Sequence, residues 1–239
     1  MTNKQNIAIV GLGGIGSQLC EPICRFIYHL SNMNDYIITL VDGDEYDSGN
    51  QSRQNISIEN IGENKAKSQY KKLKKLFPEL EINLNAIYIN SGNMHKCFSD
   101  GDIILLGVDN HKTRKLTQDF CCDMDNILLV SGGNNYIDGD VLVYAKKNGV
   151  ALTPTIYQYN KDILNYTDRS PEDIGCDELI PSDPQLIFTN GMVSICIQMV
   201  FYNYYKMFNN DDNIFPDTMV NDIMFDIKEI RVIPRIRKI

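Results

Sequence analysis

Several features that would place this chain in other classes of protein are missing from its sequence. No apolar run approaches the roughly 18 residues that a membrane-spanning helix needs. The first six residues are polar and lead directly into an apolar segment, so they do not read as a secretory signal. The seven cysteines, an odd number, include no Cys-x-x-Cys pair of the kind that binds structural zinc. These absences predict a cytoplasmic protein with reduced thiols, no zinc site and no membrane partner.

The sequence also lacks a surplus of basic residues. Its 23 lysines and arginines are outnumbered by 31 acids, which gives a formal net charge of −8. Because neutralisation of phosphates supplies most of the affinity for nucleic acids, we expect no nucleic-acid partner. The one dense basic run, residues 65–75, falls on a predicted amphipathic helix, and we interpret its lysines other than Lys65 as a solvated face.

Short apolar runs alternate with amphipathic segments in the first part of the chain. Strands are predicted at residues 7–10, 36–41, 82–89, 102–108 and 127–130, and helices at residues 15–30, 65–77 and 112–122. Apolar strands separated by helices are typical of a parallel sheet that is covered on both faces. The sequence therefore predicts an α/β fold with a doubly wound, mostly parallel, Rossmann-like sheet.

We predict that residues 1–239 form one domain, with a nucleotide-binding core at 1–150 and a distinct C-terminal part at 151–239. A strand at 136–144 is expected to be antiparallel, because only a short Gly-rich loop precedes it. The C-terminal part contains a long crossing loop at 153–184, an apolar helix at 184–205 and a closing hairpin at 222–236. Loops of that length within a compact domain are usually functional or mobile.

A glycine-rich turn follows the first strand and opens the first helix. Gly11, Gly13, Gly14 and Gly16 let the backbone turn tightly and approach a phosphate, which the helix N-terminus attracts. Asp42 ends the second strand, where a carboxylate accepts hydrogen bonds from ribose hydroxyls. These two features predict nucleotide binding, and they fit a nicotinamide-dependent oxidoreductase equally well.

Three further motifs follow in order, and together with the glycine turn they span the first half of the chain. They are the acid-x-acid stretch from Asp42 to Asp44 that leads to Asn50-x-x-Arg53-Gln54, then Gly62-x-x-Lys65-Ala66, and then Asp109-Asn110-x-x-x-Arg114. In this order they resemble the signature of the ThiF/MoeB/ubiquitin-activating-enzyme superfamily. Residues 176–190 are similar to the ThiF-like branch found in PRTRC gene clusters. An oxidoreductase would leave Arg53, Lys65 and Asp109 without a task.

The resemblance implies an ATP-dependent adenylyltransferase whose partner is a small ubiquitin-like protein with a C-terminal glycine. Arg53 and Lys65 would neutralise the phosphates and the charge that develops in the transition state. Both lie in polar segments that we expect to face solvent. Asp109 would hold magnesium, a hard cation that prefers carboxylate and phosphate oxygens. Asp42 and Asp44 would line the nucleotide site, while Asn50 and Gln54 would orient phosphate or ribose. Arg114 is expected to pair with a carboxylate inside the domain.

The resemblance leaves several alternatives open. Some members move the acyl group to a cysteine in the crossing loop, and Cys176 occupies that stretch, although the neighbouring acids favour a bystander thiol. A homodimer through the apolar helices is expected. A catalytically inert scaffold subunit is an alternative, which the intact Arg53, Lys65 and Asp109 argue against. A tRNA-modifying cyclase is disfavoured by the acidic charge.

Overall fold

A computed structural model of the chain describes residues 4–168, 185–208 and 219–239. Within these residues the chain forms one sheet of nine strands. The strands are β1 (Gln5–Val10), β2 (Tyr36–Val41), β3 (Ile82–Asn85), β4 (Ile103–Leu106), β5 (Ile127–Asn134), β6 (Asp138–Lys147), β7 (Val150–Ala151), β8 (Asp222–Asp226) and β9 (Arg231–Arg235). The helices are α1 (Gly16–Tyr28), α2 (Lys65–Leu76), α3 (Met94–Cys97), α4 (His111–Cys122), α5 (Ile156–Tyr159), α6 (Lys161–Leu164) and α7 (Ile187–Phe208).

The strand order of the sheet confirms the predicted doubly wound fold. The order is β3-β2-β1-β4-β5-β6-β8-β9, and β7 pairs with β6. The pairings from β3 to β5 are parallel, whereas β6, β7, β8 and β9 join antiparallel. The strand order reverses between β1 and β4, and in open α/β sheets a ligand binds in the crevice at the carboxyl ends of the strands on either side of that point.

The apolar strands build two cores because their alternate side chains point to opposite faces of the sheet. In β1, Ile7 and Ile9 enter a core that includes residues of α1, α2 and α7. Ala8 and Val10 enter the other core, which lies with α3, α4, α5 and α6. This two-sided burial explains why the strands read as continuous apolar runs in the sequence.

Several predicted elements differ in extent or content from those in the structure. The third strand ends at Asn85, which is its last residue paired with β2, rather than at residue 89. The described part of the crossing loop, residues 153–168, contains the single-turn helices α5 and α6, whose Ile156 and Ile163 are fully buried. The apolar helix begins at Ile187 rather than at residue 184, and α1 runs without a break through Pro22.

The fold also leaves a cavity of about 610 Å³ beside the amino ends of β1, β2 and β4 and along residues 83–85 of β3. Its buried polar side chains bind one another: Asn6 donates to Asp102 at 2.7 Å, and Thr39 donates to Asn6 at 2.7 Å. Because this network is satisfied internally, nothing in it calls for a ligand.

Candidate functional site

The glycine turn lies between the carboxyl ends of β1 and β4. Gly11 has a φ of +78°, which disfavours any residue with a side chain, and a Cβ there would lie 2.9 Å from Val108. A Cβ on Gly16 would lie 2.1 Å from the carbonyl oxygen of Gly11, so only glycine lets α1 start this close to β1. The turn therefore needs these two glycines for its own geometry, before any phosphate is considered.

Asp42 is tied to this turn through its carboxylate. One oxygen accepts a hydrogen bond from the Leu12 backbone N–H at 2.6 Å, and the other accepts from Asp44 N–H at 2.8 Å. Burial raises the pKa of this carboxyl, while the positive charge of Lys65 and the two N–H donors oppose the rise. The acid expected to bind ribose thus also holds the start of the phosphate loop in place.

Lys65 lies in a different environment from the one its sequence suggested. As part of a polar segment it was expected to face solvent, but it is only 7% exposed. Its ammonium group contacts Asp44 at 2.5 Å and lies 5.9 Å from the ring centroid of Tyr46. The expectation was wrong because Lys65 is the first residue of α2, and the acidic loop after β2 folds back over that helix end.

Two residues that the sequence analysis missed hold this arrangement. The side chain of Asn64 donates to the backbone oxygens of Asp42 and Asp44, at 3.1 and 3.0 Å. It also caps α2 by accepting from Lys67 N–H at 3.1 Å. The hydroxyl of Tyr46 donates to the Leu12 carbonyl at 3.1 Å, which joins the acidic loop to the glycine turn. The capping role of Asn64 could have been predicted, because asparagine is favoured immediately before a helix. Nothing in the sequence indicated the role of Tyr46.

The segment with Asn50, Arg53 and Gln54 forms a tight turn beside the glycine loop. Asn50 is buried and takes part in a capping box with Asp47. Its Nδ2 atom donates to the Asp47 carboxylate, and its Oδ1 atom accepts from the Asp47 backbone N–H. The guanidinium of the half-buried Arg53 donates to Gly49 O at 3.2 Å, and within the described part of the chain it forms no ion pair. Gln54 lies against Gly13, and its Oε1 atom is buried without a partner among the described residues.

Asp109 and Arg114 stand on the other side of the crevice. Asp109 is exposed just after β4, next to the Val108 that contacts Gly11. The following Asn110 caps α4 by accepting from Thr113 N–H at 2.8 Å. Arg114 is buried, and its guanidinium donates to the carbonyl oxygens of Val108 and Gly132 at 2.8 and 3.1 Å. Its hydrogen bonds thus go to two backbone carbonyls, while the charges of Asp140, Asp109 and Asp168 oppose the lowering of its pKa by burial. The carboxylate partner that we expected acts through charge rather than through a hydrogen bond.

The crossing loop returns to the crevice at Asp168. The carboxylate of Asp168 accepts hydrogen bonds from the backbone N–H groups of His111 and Lys112 at the N-terminus of α4. Burial and the charge of Arg114 lower the pKa of His111, which is therefore neutral at pH 7. Cys176, the residue of the crossing loop that the sequence pointed to, lies outside the described residues.

The first turn of α7 closes the remaining side of the glycine loop. Asn190 is fully buried, and its Nδ2 atom donates to the backbone oxygen of Arg53 at 3.0 Å. A Cβ added to Gly14 would lie only 2.2 Å from that Nδ2 atom. Gly14 is thus required by the approach of α7. The sequence analysis had placed Gly14 in the phosphate loop and had not assigned Asn190 a role.

Two other kinds of site are absent from residues 4–168, 185–208 and 219–239. No group of three or more histidine, cysteine, aspartate or glutamate residues has metal-binding geometry there. In the same residues, no helix is both long and apolar enough to cross a membrane.

Comparison with known protein families gives a match over most of the chain. The sequence model described as the ThiF family matches residues 2–198. These residues include the glycine turn, the three downstream motifs and the first turns of α7.

Curated relatives match part of the chain. MOCS3 of Drosophila sechellia, named an adenylyltransferase and sulfurtransferase, is 33% identical over 147 residues, or 61% of this chain and 31% of that protein. MOCS3 of Aedes aegypti is 29% identical over 147 residues, which cover 61% of this chain and 32% of its own length. The chain thus spans about a third of the length of these relatives.

Solved structures share the fold at low sequence identity. MccB of E. coli superposes with a TM-score of 0.68 at 16% identity, covering 98% of this chain and 64% of MccB. PaaA gives a TM-score of 0.67 at 14% identity, covering 98% of this chain and 73% of PaaA. MccB has also been crystallised with ATP. At these identities the similarity establishes the fold.

Proposed function

The chain belongs to the ThiF family, and on that premise we propose that it is an ATP-dependent adenylyltransferase acting on a C-terminal carboxylate. A carboxylate oxygen of the substrate attacks the α-phosphorus of ATP, and the bond to the β-phosphate breaks. Pyrophosphate leaves with that electron pair, and the product is an acyl-adenylate. No strong base is needed, because a carboxylate is already ionised at neutral pH.

Catalysis in this proposal consists mainly of positioning and charge stabilisation. The half-buried guanidinium of Arg53 and the buried ammonium of Lys65 neutralise the phosphates, which would otherwise repel the incoming carboxylate. Asp42 accepts from ribose, and the positive end of the α1 helix dipole faces the phosphates. Gln54, with an unpaired amide oxygen against Gly13, orients the nucleotide.

Magnesium fits the residues at the carboxyl end of β4. Magnesium is usually bound through one or two carboxylates together with substrate phosphates and water. Asp109 offers one exposed carboxylate beside the glycine turn, so a cluster of several protein ligands is not required. When bound, the metal would neutralise phosphate charge and polarise the reacting phosphorus.

The burial of Lys65 against Asp44 is the observation that carries this proposal. A lysine that is only 7% exposed, at the start of a helix and next to the acid-x-acid loop, is a costly arrangement in a simple dinucleotide-binding domain. A nicotinamide-dependent oxidoreductase gives this ammonium nothing to do, and so does an inert scaffold. A site for a nucleoside triphosphate uses it directly.

Binding and exchange assays test the proposal. ATP with magnesium should raise the melting temperature of the purified protein, because any ligand selective for the native state stabilises it. The protein should then catalyse ATP–pyrophosphate exchange in the presence of small proteins or peptides encoded near it. If NADH stabilises the protein and ATP does not, the oxidoreductase alternative is correct.

The acyl substrate in this proposal is a small ubiquitin-like protein that ends in glycine. The resemblance of the motifs to the ubiquitin-activating-enzyme signature supports this class. The likeness to MccB, which has been crystallised with MccA, keeps a peptide substrate as the competing outcome. Pyrophosphate-exchange assays with a ubiquitin-like protein, the same protein lacking its last glycine, and a free short peptide separate the two. Activity with the peptide alone would contradict the ubiquitin-like substrate.

The later fate of the adenylate depends on Cys176 if this thiol is an acyl carrier. Adenylation itself needs no thiol, so Cys176→Ala should leave ATP–pyrophosphate exchange near the wild-type rate. An acyl carrier would form a covalent adduct with the substrate that reducing thiols release, and the alanine variant would lose it. An adduct that persists in Cys176→Ala would remove the carrier role from this residue.

We also propose that the protein is a homodimer through α7. Phe188, Ile195, Met199 and Tyr202 are spaced along one face of this helix and are 76, 53, 56 and 46% exposed. An exposed apolar stripe of this length on a protein of ordinary composition is typical of a protein interface. A second copy of the same helix is an apolar partner of matching length.

A further inference from the structure

Three segments that are distant in sequence meet at the side chain of Asn190. Its Nδ2 atom donates to the backbone oxygen of Arg53 at 3.0 Å, across 137 residues of chain. The same amide lies against Gly14, where a Cβ would come within 2.2 Å of Nδ2. Asn190 thus joins the first turn of α7 to the glycine loop and to the turn that carries Arg53.

The amide of Asn190 is not fully satisfied by these contacts. The residue is 0% exposed, and its Oδ1 atom has no hydrogen-bond partner among the described residues. A buried acceptor without a donor destabilises a fold, so an asparagine here is a poor choice for stability alone. The neighbouring Thr189 is equally buried, and its hydroxyl donates to Tyr136 O at 2.8 Å.

We infer that Asn190 is a positioning residue that sets the orientation of Arg53 toward the nucleotide phosphates. This inference rests on the proposed ATP site. The guanidinium of Arg53 is held on one side by Gly49 O at 3.2 Å, and Asn190 holds its peptide group on the other. Without the Asn190 donor, the turn at residues 50–54 can move relative to the glycine loop, and Arg53 then meets the phosphates less often in the productive geometry.

Hydrogen exchange in the ligand-free protein tests the positioning separately from ATP chemistry. In Asn190→Ala, the backbone amides of residues 50–54 should exchange at least tenfold faster than in the wild type. Asn190→Ser, whose shorter side chain cannot reach Arg53 O, should have the same effect and serves if the alanine variant folds poorly. Thr189→Ala is the matched control: it also removes one hydrogen bond to a backbone carbonyl in the same helical turn, but it should leave residues 50–54 unchanged.

Binding of ATP with magnesium tests the link to Arg53. Asn190→Ala should raise the Kd for ATP about tenfold, within the range that a misplaced group costs, whereas Thr189→Ala should change it less than twofold. In an Arg53→Ala background the Asn190→Ala change should add less than twofold, because the group that it positions is gone. Equal losses in the two backgrounds, or a loss in Thr189→Ala as large as in Asn190→Ala, would overturn the inference.

The two experiments also distinguish failure of the inference from failure of the proposed function. If the wild type binds no ATP, the adenylyltransferase proposal is wrong. The rates of backbone hydrogen exchange then decide by themselves whether Asn190 holds the turn at residues 50–54. If the wild type binds ATP and exchange at residues 50–54 is the same in all variants, Asn190 does not position Arg53.

Discussion

At the scale of single residues, the site is built from polar side chains that already have partners inside the protein. Asp42 accepts from Leu12 and Asp44, Lys65 contacts Asp44, and Asn50 is closed into its own turn. Preorganised groups of this kind lose little entropy when a ligand arrives, which favours catalysis by charge stabilisation. We therefore expect each of these residues to contribute to stability as well as to the proposed activity.

Replacement of Lys65 by alanine should reveal both effects. The change removes the ammonium that faces the phosphates, so adenylation should fall by up to about a thousandfold. Because the aliphatic part of Lys65 is buried, the free energy of unfolding should also fall, by about 1–2 kcal/mol. Pyrophosphate exchange and urea denaturation measure the two effects.

The matched control for this change is Lys71→Ala on the same helix. Lys71 pairs with Glu63 at the surface, with a side chain that is 71% exposed. This variant should change stability by less than about 1 kcal/mol and leave exchange activity unaltered. Equal activity losses in the two variants would show that Lys65 acts only through general electrostatics.

The titration of Asp42 gives a pH dependence with opposite signs for folding and for binding. Burial raises the pKa of Asp42 above the ordinary aspartate value, so its contribution to stability is present at acid pH and is lost as pH rises through the folded-state pKa. Ribose binding needs the ionised carboxylate as acceptor. The affinity for a nucleoside should therefore fall as the pH decreases through the folded-state pKa of Asp42. Because this pKa is raised, the fall should begin above the pH of about 4 at which an exposed aspartate titrates.

Adenosine is the suitable probe because it has no phosphate that titrates in this range. Its affinity, followed by NMR as the pH is lowered from neutrality to about 4, should decrease in the wild type. Asp42→Asn should bind adenosine more weakly at neutral pH and show no dependence of this kind. A pH profile that is the same in both proteins would exclude Asp42 as the ribose acceptor.

At the scale of secondary-structure elements, the position of α7 depends on glycines in β5. A Cβ on Gly132 would lie 2.4 Å from Val193 Cγ1 and 2.7 Å from Ile197 Cδ1, both in α7. Gly133, the next residue, leaves room for the guanidinium of Arg114 on the other face of the strand. The pair lets α7 and α4 approach the sheet closely from opposite sides.

Gly132→Ala should therefore push α7 away from the sheet. The free energy of unfolding should drop by about 1–3 kcal/mol, as in other overpacked cores. ATP affinity should fall as well, because the first turn of α7 carries Asn190. Gly92→Ala is the control, since the nearest atom to an added Cβ is 3.4 Å away and the residue is exposed. Thermal unfolding and ATP titration of both variants provide the measurements.

At the scale of the whole molecule, the exposed stripe on α7 should decide the oligomeric state. The double change Ile195→Glu and Met199→Glu places two charges on this face and should convert a dimer to a monomer. Sedimentation velocity measures the mass directly. Ile58→Glu is the control, because Ile58 is 78% exposed and lies in a short turn that is distant in sequence from α7. A wild type that sediments as a monomer at micromolar concentration would contradict the dimer.

Much of the architecture follows from the sequence because the signals are local. Apolar runs and amphipathic segments predict the parallel strands and their helices, since backbone periodicity alone fixes which side chains share a face. The glycine turn, Asp42 and Asp109 could be assigned to the carboxyl edge in the same way, because that edge is where parallel strands end. Motif order then identified the family.

Contacts between distant segments could be decided only by the tertiary structure. The burial of Lys65, the hydrogen bonds of Arg114 to carbonyls and the contact of Asn190 with Gly14 and Arg53 each join residues from separate elements. No periodicity or spacing encodes these contacts, because they depend on how closely helices pack on the sheet. The sequence by itself determined the edge at which a nucleotide would bind, and only packing decided which side chains hold the binding groups in position.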